Sequence, residues 1–266
     1  MEAIVTSVVC YNNEDEVLSY AKEISRQQCE REIVLVITCN GCKDVELLTS
    51  NVHAILPNAK VFDPQRNLGY LPGCLYGISH LDVEYKWAMI SNTDIRFEDE
   101  RFFCHFLDSV PSGVWCVGPN IVLSATGEHQ NPFLVRHPSR KQIEKWRIIY
   151  SNSVLFYVYY KLSRLKKKYK KSKNENDLSG SVYAVHGSCF ALSKECVQQL
   201  ADIQIPLFMY EEELFLAEMV KTGNGTVHYC RDAVVFHDEN LVTGRVSISK
   251  KLRWIRESYR YMYNMF

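Results

Sequence analysis

The chain has 266 residues, 47% of them hydrophobic and 12% aromatic, with 12 Gly and 8 Pro. That composition supports one large packed α/β domain and excludes collagenous, low-complexity and disordered classes. Lys and Arg number 31 and Asp and Glu 31, so the formal charge is zero, but residues 145–173 carry ten basic groups and no acid, and residues 245–260 carry six against one Glu; the basic residues are gathered where they can meet an anionic surface, and the body is acidic.

Ala3–Tyr11 (AIVTSVVCY) is an apolar, β-branched run closed by Asn12-Asn13, residues that favour turns and caps, and it reads as a buried parallel strand. Residues 14–29 follow with acids in the first turn and apolar residues at Val17, Leu18, Ala21 and Ile24, a helical period with the charge sign that the helix dipole favours. Residues 33–38 (IVLVIT) repeat the strand signal. A helix from about Asp44, a strand at 61–62, a helix over 71–80 and a strand over 86–90 complete a repeated β-α pattern. It predicts an α/β fold with a parallel, doubly wound sheet.

Ligands of such sheets bind beyond the carboxyl ends of the strands. The candidate segments are therefore Tyr11-Asn12, Cys39-Asn40-Gly41, Arg66-Asn67-Leu68-Gly69-Tyr70 and Ser91-Asn92-Thr93-Asp94. A carboxylate at a strand end, Asp94, suits a hard divalent cation bound through oxygen; the plain alternative is an Asx-turn opening a helix near Glu98. Asn67-Leu68-Gly69-Tyr70 with Gly73 puts small residues where a backbone must approach something closely, or simply makes a tight turn.

The N-terminus begins directly in a strand-like run, with no cationic region, apolar core or cleavage site, which predicts a cytoplasmic protein. Its longest fully apolar stretch, residues 154–160, is far below the roughly 20 residues a spanning helix needs. Ten cysteines are scattered through the chain, and without an export signal they are expected to stay reduced. Cys39-x-x-Cys42 supplies two ligands where a structural zinc needs four, so no zinc is expected.

Residues 148–173 interleave aromatic and apolar side chains (IIYSNSVLFYVYYKL) with a cationic end (SRLKKKYKKSK). Such a stretch suits an anionic membrane surface, each Lys contributing about 1 kcal/mol. A nucleic acid is the rival partner, without an RNA-binding signature to support it, and a helical hairpin packed on the sheet with a solvated Lys tip is the plain alternative.

The order of the motifs is the specific signal. A strand ending in Cys-Tyr-Asn, a second ending in Asn-Gly-x-x-Asp, then Arg-Asn-x-Gly-Tyr and Asn-x-Asp, resembles the nucleotide-sugar domain of family 2 glycosyltransferases. His186-Gly187-Ser188-Cys189-Phe190, a helix over 193–200, Tyr210-Glu211-Glu212-Glu213, Gly223 and Val234-Val235-Phe236-His237 continue the likeness over roughly residues 3–240. The pattern is most similar to a rhamnosyltransferase-like bacterial group that builds surface polysaccharides.

The resemblance implies an α/β fold of GT-A type, a Rossmann-like, mostly parallel sheet flanked by helices, in a single domain, residues 1–266. Residues 1–120 would form the nucleotide-sugar half, residues 121–244 the acceptor and catalytic half with the basic aromatic insertion 145–173, and residues 245–266 a basic C-terminal helix. It implies that Tyr11, Asn12, Asn40, Gly41, Arg66, Asn67, Gly69, Tyr70 and Asn92 bind a UDP- or dTDP-sugar. Asp94 and His237 would hold Mg or Mn, which stabilises the charge developing on the departing diphosphate; a satisfied strand-end histidine is the alternative for His237. Glu213 aligns with the family's general base and Glu212 is second choice, although three acids at a helix start also simply complement the dipole. Cys39 replaces the family's base-recognising Asp, and a thiol is a poor acceptor, so the pyrimidine would be held by backbone groups or by Tyr11 and Thr38. Asn92 replaces the first acid of the Asp-x-Asp triplet, leaving Asp94 as its only carboxylate. The implied activity is an inverting, metal-dependent hexosyl or rhamnosyl transfer to a glycan or lipid-linked glycan, by a cytoplasmic enzyme peripheral at the inner face of the plasma membrane and without a nucleic-acid partner. The alternative is a non-catalytic binder of sugar nucleotides or glycans.

Overall fold

The computed structural model describes residues 2–169, 179–238 and 247–266. The basic run 170–173 and Arg245 lie outside the described residues.

The first half alternates as its hydrophobic runs dictate: β1 (Ala3–Tyr11), α1 (Glu14–Ser25), β2 (Ile33–Gly41), α2 (Val45–Ile55), β3 (Lys60–Phe62), α3 (Tyr70–Ser79), β4 (Tyr85–Ser91), β5 (Ile95–Arg96) and α4 (Phe102–Asp108). β1 and β2 are buried almost throughout, as parallel strands covered on both faces must be. The second half holds β6 (Val114–Leu123), α5 (Arg140–Ser151), α6 (Ser153–Tyr169), β7 (Gly180–Val182), β8 (Cys189–Ser193), α7 (Lys194–Ala201), α8 (Glu212–Thr222), β9 (Thr226–His237) and α9 (Ile248–Met262).

One sheet runs β3-β2-β1-β4-β8-β6-β9-β5, and β7 pairs with β9. The pairs among β1 to β4 are parallel, as is β6 with β9; β8 runs antiparallel between β4 and β6, and β5 antiparallel to the end of β9. The sheet is therefore mixed but mostly parallel, with an apolar core on each face. Helix 1 ends at Ser25 rather than at Cys29, and the helix expected near Glu98 starts at Phe102.

Cys29 and Cys104 form a disulfide, their Cα atoms 6.0 Å apart, which corrects the expectation that every cysteine stays reduced. The chain after α1 and the first turn of α4 meet there across a sequence separation of 75 residues, a juxtaposition made by the fold and not by spacing.

The insertion forms the helical pair α5–α6. Ser139 and Gln142 cap α5 reciprocally, satisfying otherwise unpaired N–H groups. α5 is anchored on α9 through stacked Tyr150 and Tyr259 rings, 5.2 Å between centroids. α6 is not covered: Val154 is 70% exposed, Val158 50% and Leu162 53%. Spaced four apart, these three line one side of the helix. Among the described residues no helix is long and apolar enough to cross a membrane.

Candidate active site

Asp94 and His237 meet at the edge of the sheet. Ile95 of β5 is the register partner of His237 at the end of β9, and the N–H of Asp238 donates to the carbonyl of Asp94 at 3.0 Å. This pairing puts the two side chains together, His237 Nε2 3.2 Å from Asp94 Oδ1, both groups less than a tenth exposed. His237 Nδ1 lies 2.7 Å from Gln130 Oε1; the amide oxygen only accepts, so Nδ1 donates there, and in the neutral ring Nε2 carries the lone pair. Asp94 Oδ1 is buried without a hydrogen-bond partner. A nitrogen lone pair and an orphan carboxylate oxygen thus converge, and neighbouring ligands of an octahedral ion with bonds of about 2.1 Å stand about 3 Å apart. The residues fit a divalent cation.

His186 lies beside this pair, its ring centroid 6.5 Å from that of His237. Burial, with the second histidine, lowers its pKa to about 4 and keeps it neutral. Asn131 is a scaffold for this edge: its Oδ1 accepts from the N–H of His186 at 2.6 Å and its Nδ2 donates to the carbonyl of Pro119 at 2.7 Å. Neither Gln130 nor Asn131 stands out in the sequence, where they form part of a polar run before Pro132 in a connection with no motif.

A cleft of about 230 Å³ opens at the ends of β2 and β3, lined by residues including Cys39, Asn40, Gly41, Asp63, Gln65 and Arg66. Tyr11 is half exposed at its rim, its ring packed over Gly41. Asn12 takes the left-handed conformation, and Asn13 ties the loop to the Asp94 segment by donating to Thr93 Oγ1 at 2.9 Å. Asn40 is buried and reaches inward: Nδ2 donates to the carbonyl of Gly69 at 2.6 Å, and Oδ1 accepts from the N–H of Leu68 at 3.2 Å. Asn67 Oδ1 closes an Asx-turn on the N–H of Gly69 at 2.9 Å. Thr38, expected to help hold the base, is wholly buried against Gly77 of α3. It points to the same face of β2 as Asn40, which meets Gly73 one turn earlier on that helix, but lies deeper and outside the cleft lining. Asp63 and Gln65 supply the polar wall instead, residues that the sequence pattern did not single out.

Gly69 joins the two halves. Its φ is +90°, and a Cβ there would stand 2.1 Å from the carbonyl oxygen of Phe208, so only glycine fits. The next N–H, of Tyr70, donates to that same carbonyl at 3.0 Å. Tyr70 OH donates to the carbonyl of Gly187 at 2.9 Å, and the N–H of Asn92 to that of Ser188 at 2.8 Å.

The triple Glu opens α8 from a strained turn. Tyr210 and Glu211 both take positive φ, 73° and 69°, a conformation that side chains other than glycine rarely adopt. α9 secures the turn through Ser258 Oγ, which donates to the carbonyl of Tyr210 at 3.1 Å, and through Trp254 against Phe208. Glu212 Oε1 accepts from the N–H of Tyr210 at 2.8 Å, and Glu213 Oε1 from the N–H of Gly187 at 3.0 Å. Glu213 shares a small apolar hollow with Val185, Phe190 and Leu216. Burial raises the pKa of all three carboxyls, Glu211 and Glu212 to about 8, with the charge of Glu213 as the second cause for both.

No protein-family profile matches the sequence, and no curated protein matches it. Solved structures do. GalNAc-T7 with UDP, GalNAc and Mn2+ aligns over 98% of this chain and 50% of its own, with a TM-score of 0.62 and 15% identity. The mannosyltransferase PcManGT from Pyrobaculum calidifontis, in complex with GDP-Man and Mn2+, aligns over 98% of this chain and 69% of its own, with a TM-score of 0.59 and 10% identity. S. aureus TarS 1–349 with UDP aligns over 89% and 60%, with a TM-score of 0.57 and 12% identity. The chain thus spans half the length of the first of these structures, and what it shares with all three is the fold: a mixed, mostly parallel sheet flanked by helices, that of the GT-A glycosyltransferases.

Proposed function

We propose that the chain is an inverting, Mg- or Mn-dependent glycosyltransferase of the family 2 type, moving a hexosyl or rhamnosyl unit from a nucleoside-diphosphate sugar to a glycan or lipid-linked glycan in surface-polysaccharide synthesis. The observation that carries this reading is the convergence of the orphan Asp94 Oδ1 and His237 Nε2 in a segment that Asn13, through its bond to Thr93, ties to the end of β1 bordering the cleft. Asp94 and His237 would hold the cation, which when bound stabilises negative charge on the leaving diphosphate.

The chain's own residues supply the rest. The cleft takes the nucleoside, with Tyr11 and Gly41 at the rim and Asp63 and Arg66 as polar contacts; Asn12 and Asn92 stand at the neighbouring strand ends. Asn40, Asn67, Gly69 and Tyr70 shape the donor loop and lock it to the segment before α8. Glu213 takes the acceptor proton as the sugar is attacked from behind. A carboxyl whose pKa burial has raised is a stronger base, and the Gly187 N–H orients it. Glu212 is the second candidate. The uncovered side of α6, next to a cationic run, supports docking on an anionic lipid surface that would present a lipid-linked acceptor, at the inner face of the plasma membrane.

A thermal-shift screen of UDP-, dTDP- and GDP-sugars with and without Mn2+, followed by assay of nucleoside-diphosphate release with acceptor glycans, tests the reading. Stabilisation that needs both sugar nucleotide and metal, with turnover, is expected. Binding without turnover by any acceptor would favour the non-catalytic alternative, and no binding would refute both.

A further inference from the structure

The carboxyl ends of β1 and β2 hold a second group of metal-ligand side chains, two of which, Cys39 and Cys42, also line the cleft described above. Cys10 and Cys39 are register partners on these adjacent parallel strands. Both belong to the core beneath α1, so their thiols stand on one face of the sheet. Cys42, just past the end of β2, returns toward them, and Glu14 enters from the first turn of α1. The ligand atoms of Cys10, Glu14 and Cys42 lie within 4.8 Å of one another. The thiol of Cys42 donates to the carbonyl of Cys10 at 4.0 Å, and Cys39, the register partner of Cys10, brings a fourth side chain to the edge of this group. Glu14 is held in position by the N–H of Lys43, which donates to its Oε1 at 2.8 Å.

We propose that Cys10, Cys39, Cys42 and Glu14 form a structural zinc site that ties the ends of β1 and β2 to the start of α1. Sulfurs around one zinc ion with bonds of about 2.3 Å stand about 3.8 Å apart, so Cys10, Cys42 and Glu14 need to close by only about 1 Å, and Cys39 completes the set by turning its thiol toward them. Three sulfurs and a carboxylate make a soft, four-coordinate set, which selects zinc over the hard cations that suit Asp94. On binding, each thiol releases its proton to solvent and donates an electron pair to the ion; no oxidation is involved. The Cys39-x-x-Cys42 pair is incomplete in sequence only because its other two ligands come from a neighbouring strand and a helix. The site would form part of the cleft wall, through Cys39 and Cys42, but the inference requires neither donor nor acceptor.

The full chain, purified under nitrogen in chelator-free buffer, should carry about one zinc per chain by mass spectrometric metal analysis. Replacing zinc by Co2+ should give an intense thiolate-to-cobalt charge-transfer band with the visible bands of a tetrahedral ion. Cys42→Ser, at a partly exposed position, should weaken Co2+ binding at least tenfold and diminish that band, as should Glu14→Gln to a smaller extent. Asp94→Asn should leave the band intact, since a site of oxygen and imidazole ligands produces none, and this separates the two metal readings. Zinc far below one equivalent in protein with freely reactive thiols, a cobalt spectrum without thiolate charge transfer, or a Cys42→Ser spectrum equal to wild type would each overturn the proposal.

Discussion

Glu213 Oε1 accepts a hydrogen bond from the N–H of Gly187, and a Cβ added to Gly187 would stand 2.9 Å from that same oxygen. The obstructed atom is the far end of a flexible side chain, so Gly187→Ala should leave the fold intact and force the carboxylate to turn. Donor binding is expected to persist while transfer drops roughly tenfold or more, reproducing part of a Glu213 substitution without altering Glu213. Circular dichroism, calorimetric donor binding and release of nucleoside diphosphate would be compared; wild-type transfer would show that the orientation of Glu213 does not matter.

Glu213→Gln keeps the volume and most of the hydrogen bonding but removes the base. Transfer should fall by about 10²-fold or more at unchanged donor affinity. Glu212→Gln, beside it, should have a smaller effect. The reverse order would make Glu212 the base, and full activity of both variants would end the catalytic reading of this turn.

Asp94→Asn removes one ligand and its charge. Mn2+-dependent donor binding should weaken and turnover should fall by orders of magnitude, and EDTA should do the same to wild type. Gln130→Leu touches no ligand atom but releases the His237 ring. Metal affinity should then fall about 10- to 100-fold, the usual cost of losing such a partner. Manganese titration by electron paramagnetic resonance reads both effects, and an unchanged affinity in Gln130→Leu would mean that the tautomer is fixed by other means.

Glu211 gives a pH signature. Burial, with the charge of Glu213, lifts its pKa from 4.5 to about 8, so the folded state holds a proton that the unfolded state releases. Its contribution to stability is complete below the unfolded pKa and is lost as pH rises through the folded one. Between about pH 5 and about pH 9 the melting temperature of wild type should therefore decline more than that of Glu211→Gln. Equal slopes would show that Glu211 is ionised in the native protein.

The uncovered side of α6 predicts that the full chain floats with vesicles containing anionic lipid at low salt, and less at high salt. The pair Val154→Glu and Val158→Glu should abolish flotation while leaving release of nucleoside diphosphate to a soluble acceptor unchanged. No binding by wild type would refute membrane docking.

The first half of the fold was legible because parallel strands covered on both faces must be continuously apolar, and β1, β2 and β4 are. The polar residues at their ends marked the cleft for the same topological reason. The second half was less legible: β8 is five residues long and lies antiparallel among strands far from it in sequence, and no local pattern announces that. Gln130 and Asp63 gain their meaning from side chains brought in by other elements, as Cys10 does from Cys39 across 29 positions. Asp94 and His237 were singled out separately by motif; only the β5–β9 register shows that their side chains are neighbours.

The position of β8 has a consequence for how the molecule is made. Until residue 193 has left the ribosome, β4 and β6 have no strand between them, and the early β-α units form a sheet with an open, apolar edge. Closing the sheet means inserting a late strand into its middle, a non-local step that sets a slow folding rate. The chain accordingly cannot be cut apart or exchanged as cassettes at residue 120, because strands from before and after that point share one sheet.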